Sequence, residues 1–119
     1  MDKTKNSEIK IEEGFIGQKM QILNTTDISK LTHNIFSQNL YFTAIGLYPR
    51  ALSHERFRQS GCDEYILLYC TEGEGYIALE NEFFTLKANT YIILPKNMSH
   101  KYGSLLNNPW SIYWIHFSG

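Results

Sequence analysis

The sequence predicts an all-β fold, an antiparallel sandwich or barrel with an irregular N-terminal arm. Six or seven short runs rich in β-branched and aromatic residues recur at intervals of about ten residues, which is typical of such folds. Turn-forming residues separate these runs, and no amphipathic pattern is long enough for a sizeable helix. We expect the 119 residues to form one domain, because a chain of this length buries a core without disulfides or a structural metal.

Residues 1–37 are predicted to form the arm and residues 38–119 the domain. The first segment contains only two aromatic residues, Phe15 and Phe36, whereas eleven of the seventeen in the chain lie from Tyr65 onward. The core is therefore expected in the second half. A short helical turn over 27–36, capped by Thr26 or Asp27, is predicted within the arm.

The strands predicted after the arm begin with 40–48, which Pro49 closes. The run 64–71 follows and ends at the sequence EGEG, whose glycines permit positive φ. We expect a hairpin there that pairs 76–79 with the preceding strand. The remaining predicted strands are 83–86, 91–94 and 111–118. Because 65–70 and 91–94 are apolar on both faces, both are predicted to be central strands, covered by the opposite sheet and by the arm or a partner chain.

Composition excludes several classes of function. Eleven Lys and Arg against twelve Asp and Glu give a net charge of −1, which disfavours both nucleic-acid capture by this chain alone and a polybasic membrane anchor. No apolar run approaches the ~20 residues of a membrane span, and the opening MDKTKNSEIK has no apolar signal-peptide core. We therefore expect a cytoplasmic protein in which Cys62 and Cys70 are reduced packing residues.

The stretch 64–100 resembles the cupin superfamily of small jelly rolls. Residues 95–100 follow the spacing of the second cupin motif, PxGxxH, and end at His100. Asn97 stands at the glycine position, and asparagine is among the residues that best tolerate positive φ.

The first cupin motif supplies most metal ligands in enzymatic cupins, and this sequence departs from it. Ser60 and Cys62 occupy the two histidine positions, and Ile66 occupies the glutamate position. A metal held by His100 alone, or by His100 with Cys62, would have fewer than the usual three or four ligands. We expect neither a metal nor another cofactor.

A longer resemblance runs from Tyr48 to Gly119. It is carried by YPRA at 48–51, RxxGxxEYILLYC at 58–70, EGEG at 72–75, LPxxxxHxYG at 94–103 and NPWSIYWIHFSG at 108–119. These motifs resemble the N-terminal effector-binding and dimerisation domain of AraC/XylS-type transcription regulators. The resemblance implies a cupin-like jelly roll, or double-stranded β-helix, that acts as a non-enzymatic sensor. DNA binding would belong to a C-terminal helix-turn-helix half that this chain does not contain.

The same resemblance implies a sugar-type effector inside the barrel. Arg58, Tyr102 and Trp114 match the family's sugar-contacting arginine, tyrosine and tryptophan. A guanidinium offers a fork of donors to hydroxyl groups, and an indole face stacks on a sugar ring. A histidine of the arabinose-binding type aligns with Ile112, which disfavours arabinose itself.

Three further ligand-binding candidates are Arg56, His100 and Trp110. Arg56 shares a strand face with Arg58 and competes with it for the pocket role. His100 is alternatively a structural residue of its turn, and Trp110 is expected at the barrel rim.

Structural alternatives for two of the first three candidates remain open at this point. Arg58 is alternatively solvated or paired with Asp63 or Glu64, and Trp114 is alternatively plain core.

No catalytic residue is predicted. The Ser53-His54 and Ser99-His100 pairs are adjacent in sequence and would point to opposite faces of a strand. Two rival functions stay open, a metal-dependent cupin isomerase or dioxygenase and a module that serves only for dimerisation. Weak homodimerisation is expected, and the arm is a candidate lid over the ligand.

Overall fold

The computed structural model describes residues 10–119, and in this range the chain forms nine strands and one helix. The first nine residues of the predicted arm therefore lie outside the described residues. The strands are β1 (Lys19–Ile22), β2 (Tyr41–Tyr48), β3 (Glu55–Arg58), β4 (Tyr65–Glu72), β5 (Glu74–Leu79), β6 (Glu82–Lys87), β7 (Thr90–Leu94), β8 (His100–Ser104) and β9 (Ser111–Ser118), and the helix is α1 (Thr25–Thr32).

The strands form two antiparallel sheets that enclose the core. One sheet has the order β1-β2-β9-β4-β7, and the other has the order β3-β8-β5-β6. Along β4 every second side chain is buried, and those of Ile66, Leu68 and Cys70 are fully buried against the facing sheet. The all-β antiparallel prediction is confirmed, and the core lies in the second half of the chain as expected.

The hairpin predicted at EGEG is wrong. β5 pairs with β6 and β8 in the second sheet, whereas β4 pairs with β7 and β9 in the first. Gly73 has a φ of +72°, and a Cβ on it would lie 2.1 Å from the carbonyl oxygen of Pro109. The glycine therefore makes a corner packed against the 109–110 backbone, and this corner sends the chain across to the other sheet.

The prediction that 91–94 is a central strand is also wrong. β7 is the edge of its sheet and pairs only with β4, and the side chains of Tyr91 and Ile93 are 64% and 44% exposed. An edge strand can also be apolar on both faces, with one of the two faces exposed to solvent. The apolar pattern of 91–94 therefore did not require a central position. The matching prediction for β4 is correct, since β4 lies between β9 and β7.

The helix begins and ends earlier than predicted. The Oδ1 atom of Asn24 accepts a hydrogen bond from the backbone N–H of Asp27 at 2.8 Å, so Asn24 is the N-cap and not Thr26 or Asp27. Thr32 is the last helical residue. The chain then continues in turns, and in one of them the Phe36 N–H donates a hydrogen bond to Oδ1 of Asn34, which replaces a helical backbone bond.

Three strands were not predicted, and two of them position the site. β3 and β8 pair in register, with Arg56 opposite Tyr102 and Arg58 opposite His100. Their sequences, ERFR and HKYGS, lack the β-branched residues on which strand prediction depends. The turn before β8 is as predicted, since Asn97 has a φ of +57°.

The described part of the arm packs on the domain. β1, the third unpredicted strand, extends the first sheet by pairing with β2, and the Phe15 ring lies 5.0 Å from the Tyr48 ring. The division of the chain at residue 37 stays a prediction. Among the described residues, no helix is long and apolar enough to cross a membrane.

The Gly73 corner predicts a sharp steric penalty for a side chain at this position. We expect Gly73→Ala to lower the free energy of unfolding by about 2–5 kcal/mol, which combines left-handed strain with overlap on the Pro109 carbonyl. Gly14→Ala is the matched control, because Gly14 also has positive φ but a Cβ there would meet nothing within 4 Å. Urea unfolding followed by circular dichroism measures both, and equal losses in the two variants would contradict the steric account.

Candidate functional site

A cavity of about 430 Å³ lies between the two sheets. The described part of the predicted arm, residues 10–37, closes one side of the cavity and is called the N-terminal segment below. The second sheet contributes cationic and aromatic side chains, and the first sheet contributes mainly apolar and aromatic ones. The cavity is lined by Arg56, Arg58, Tyr102 and His54, by Thr43, Ala44, Tyr48, Glu64, Ile112, Trp114 and His116, and by Glu12, Glu13, Met20, Ile22, Leu23 and Ile28 of the N-terminal segment.

Arg58 is held by two neighbours on β8. Its Nη1 atom donates to the hydroxyl of Tyr102 and to Nε2 of His100, each at 3.1 Å. Burial lowers the pKa of His100 to about 4, and the charge of Arg58 adds to this effect. His100 is therefore neutral at pH 7, which lets its Nε2 accept the hydrogen bond. Neither Asp63 nor Glu64 forms an ion pair with Arg58 within the described chain.

Arg56 also lines the cavity, so the two arginines share a face as the strand alternation predicts. Its guanidinium forms an ion pair with Glu12 at 2.8 Å, which ties the N-terminal segment to β3. Because the charge of Arg56 is already balanced by Glu12, Arg58 carries the less compensated charge of the pair.

Trp114 forms the opposite wall. It is 8% exposed, and its ring makes an edge contact with Tyr48 at 5.5 Å between centroids. A Cβ at Gly46 on β2 would lie 2.2 Å from the indole ring. The missing side chain at Gly46 therefore makes the space in which the indole lies.

His100 and Trp110 do not line the cavity. His100 is fully buried behind Arg58, and Trp110 is fully buried in the core and not at the rim. The Nε1 atom of Trp110 donates to Nδ1 of His54 at 3.1 Å. Burial, together with Arg56 and Arg58, lowers the pKa of His54 to about 3, so this cavity residue is a neutral acceptor. Of the six sequence candidates, the structure thus brings four together on the cavity wall.

A second cluster, Cys62, Glu64 and His116, lies at the edge of the same cavity. The Nδ1 atom of His116 lies 3.5 Å from Oε1 of Glu64 and 3.9 Å from Sγ of Cys62. The hydroxyl of Thr43 donates to the other carboxylate oxygen. Burial is the main cause that lowers the pKa of His116, and Glu64 opposes it.

Cys62 was expected only as a packing residue, and the sequence did not predict this cluster. Cys62 and His116 are 54 positions apart, and only the pairing of β4 with β9 brings His116 alongside the segment that precedes β4. The one available signal was that Cys62 stands at a ligand position of the first cupin motif.

Comparison with known proteins identifies related sequences. The sequence model of the AraC-like ligand binding domain matches residues 45–119. The MmsAB operon regulatory protein of Pseudomonas aeruginosa is 34% identical over 96 residues, which cover 77% of this chain and 31% of that protein. The raffinose operon transcriptional regulatory protein RafR of Pediococcus pentosaceus is 40% identical over 57 residues, 47% of this chain and 21% of that protein. The chain therefore spans only a fifth to a third of these relatives.

Solved structures show a cupin fold for the chain. The Cnp3 cupin domain of Schizosaccharomyces pombe superimposes with a TM-score of 0.55 at 13% identity, and the match covers 86% of this chain and 65% of that domain. A cupin-like protein of Thermotoga maritima superimposes with a TM-score of 0.53 at 17% identity, and the match covers 83% of this chain and 67% of that protein. These likenesses concern the fold alone, and they confirm the predicted cupin-like jelly roll.

The neutral histidines around Arg58 predict a loss of stability in mild acid. The pKa of His54 is about 3 and that of His100 about 4 in the folded protein, against an ordinary value of 6.5. Below pH 6.5 the unfolded chain binds protons that the folded protein excludes, so the free energy of unfolding falls as the pH decreases toward 4. Each histidine contributes a slope of at most about 1.4 kcal/mol per pH unit.

Urea unfolding across this pH range measures the slope. We expect His54→Gln to reduce this slope by up to about 1.4 kcal/mol per pH unit, which is the contribution of one proton. Leu52→Gln, at an exposed position in the same loop, changes no titratable group and should leave the slope unchanged. A slope in His54→Gln equal to that of the unmodified protein would contradict the burial argument.

Proposed function

The chain belongs to the family of AraC-like ligand binding domains, and we propose that its cavity binds a small carbohydrate effector that controls a DNA-binding domain outside this chain. The observation that carries the proposal is the cavity of about 430 Å³, with Arg58 and Tyr102 on one wall and Trp114 on the other. This volume lies within the range of about 300–1,000 Å³ that is common for small-molecule sites.

The chemistry of the cavity walls supports a polyhydroxylated ligand. The guanidinium of Arg58 and the hydroxyl of Tyr102 provide donors, and Tyr102 can also accept a hydrogen bond. The indole of Trp114 offers an apolar surface to the C–H face of a sugar ring. The name of RafR, a raffinose operon regulator, supports the same ligand class.

The N-terminal segment is the proposed route from the ligand to the rest of the regulator. Glu12 and Glu13 line the cavity, and the ion pair between Glu12 and Arg56 fixes this segment over it. A ligand hydroxyl that binds Arg56 would compete with Glu12 and shift the segment. Effector binding and the position of the N-terminal segment would then be coupled, as regulation requires.

We further propose a cytoplasmic, non-enzymatic domain that binds neither membrane nor nucleic acid itself and forms at most a weak homodimer. The regulatory names of the relatives support a sensor over a cupin isomerase or dioxygenase. The open cavity beside Arg58 and Trp114 supports a sensor over a module that serves only for dimerisation, because such a module would fill its interior with its own aromatic residues.

A thermal-unfolding screen against mono- and oligosaccharides tests the proposal. A ligand at a hundred times its Kd stabilises the folded state by about 2.7 kcal/mol, which raises Tm by about 6 to 15 °C for a domain of this size. Arg58→Gln and Trp114→Phe should each raise the apparent Kd at least about tenfold, a loss of about 1.4 kcal/mol of binding free energy.

Lys87→Gln is the matched control, since it removes one positive charge from an exposed position on β6. It should leave the Tm shift unchanged. A sugar response of equal size in Arg58→Gln and Lys87→Gln would place the ligand elsewhere. A flat response to every sugar would overturn the carbohydrate proposal and direct the screen to other metabolites.

A further inference from the structure

We propose that Cys62, Glu64 and His116 form a zinc site at the edge of the cavity, with one coordination position open to it. One sulfur, one carboxylate oxygen and one imidazole nitrogen from these residues all lie within 4.8 Å of one another. Cys62 and Glu64 precede β4, and His116 lies on β9, the strand beside β4. The sheet itself therefore holds the three groups together.

The distances fit a tetrahedral ion. Zinc bonds of about 2.0–2.3 Å to nitrogen, oxygen and sulfur place neighbouring ligand atoms roughly 3.3–3.7 Å apart. The Nδ1 atom of His116 is 3.5 Å from Glu64 Oε1 and 3.9 Å from Cys62 Sγ. The first of these separations falls in the expected range, the second is slightly longer, and the ligand atoms of Cys62 and Glu64 lie within 4.8 Å of each other.

The donor set favours zinc over magnesium or calcium. A thiolate, an imidazole and a carboxylate are typical zinc ligands, whereas magnesium and calcium prefer oxygen ligands alone. The thiolate and the carboxylate together balance the two positive charges of the ion. Two of the three proposed ligands are also sheltered from solvent, since the side chains of His116 and Glu64 are only 16% and 25% exposed.

An outer partner orients the carboxylate. The hydroxyl of Thr43 donates to Glu64 Oε2, which leaves Oε1 directed at His116. Such outer hydrogen bonds commonly fix the orientation of metal ligands. Two of the three ligands, Glu64 and His116, also line the cavity. A zinc ion with three protein ligands keeps a fourth position for water or for an oxygen of a bound molecule.

This site differs from the metal site of enzymatic cupins. The cupin motif positions are Ser60, Cys62, Ile66 and His100, and only Cys62 belongs to both sets. The proposal is independent of the carbohydrate proposal, because it concerns the metal alone and its test contains no sugar.

Metal titration of the metal-free 119-residue chain tests the site. We expect calorimetry to detect one zinc ion per chain. Cobalt, used as a coloured substitute for zinc, should give a thiolate-to-metal charge-transfer band. Cys70 is the second of the two cysteines in the chain and lies outside the cluster, so Cys62→Ser should abolish this band.

Variants of the other two ligands complete the experiment. Glu64→Gln and His116→Gln should each weaken zinc binding at least tenfold, with circular dichroism confirming that both variants fold. His33→Gln, which removes an exposed imidazole at the end of α1, should bind zinc like the unmodified chain. If Cys62→Ser fails to fold, these three variants alone decide.

Four results would overturn the proposal. The first three are the absence of a thiolate band in the unmodified chain, a band retained in folded Cys62→Ser, and zinc affinity that is equal in His116→Gln and His33→Gln. The fourth is binding only at millimolar zinc, which is the result expected of a hydrogen-bonded Thr43–Glu64–His116 network that holds no metal.

Discussion

The corner at Gly73 is the constraint on which the rest of the structure depends. It moves the chain from the first sheet to the second between β4 and β5, so that two sheets face each other across a shared interior. The corner packs directly against the backbone that enters β9. The strand that carries Trp114 and His116 is therefore located by the same contact that separates the sheets. The cavity is the space left between them.

Charge as well as packing organises this interior. Two arginines point into a largely apolar enclosure, and burial, reinforced by the charges of these arginines, keeps His54 and His100 uncharged. Glu12, from the N-terminal segment, balances one of the two cations. Within residues 10–119, the other cation is hydrogen-bonded to neutral groups on β8 and has no ion-pair partner, which makes it a strong donor for an incoming molecule. A regulator can use such an asymmetry, because the ligand and the N-terminal segment then compete for closely spaced charges.

Local sequence patterns predicted most strands but not their partners. β2, β4 and β9 were found within a residue or two, because their aromatic and β-branched content is a local property. The pairing of β5 and the edge position of β7 were missed, since both depend on contacts far apart in sequence. For the site, resemblance to a family brought Arg58, Tyr102 and Trp114 to one cavity. It also made the arm a candidate lid, which stays a prediction, but it gave no indication of the Cys62 cluster, which only three-dimensional register assembles.

The two tryptophans of the chain stand in contrasting environments. Trp110 is sealed in the core with its N–H bonded to His54, whereas Trp114 borders the cavity above Gly46. Intrinsic fluorescence of the protein therefore contains a constant component and a component that responds to whatever enters the cavity. The fold thus provides an optical reporter of occupancy, with its own internal reference, and no label needs to be attached.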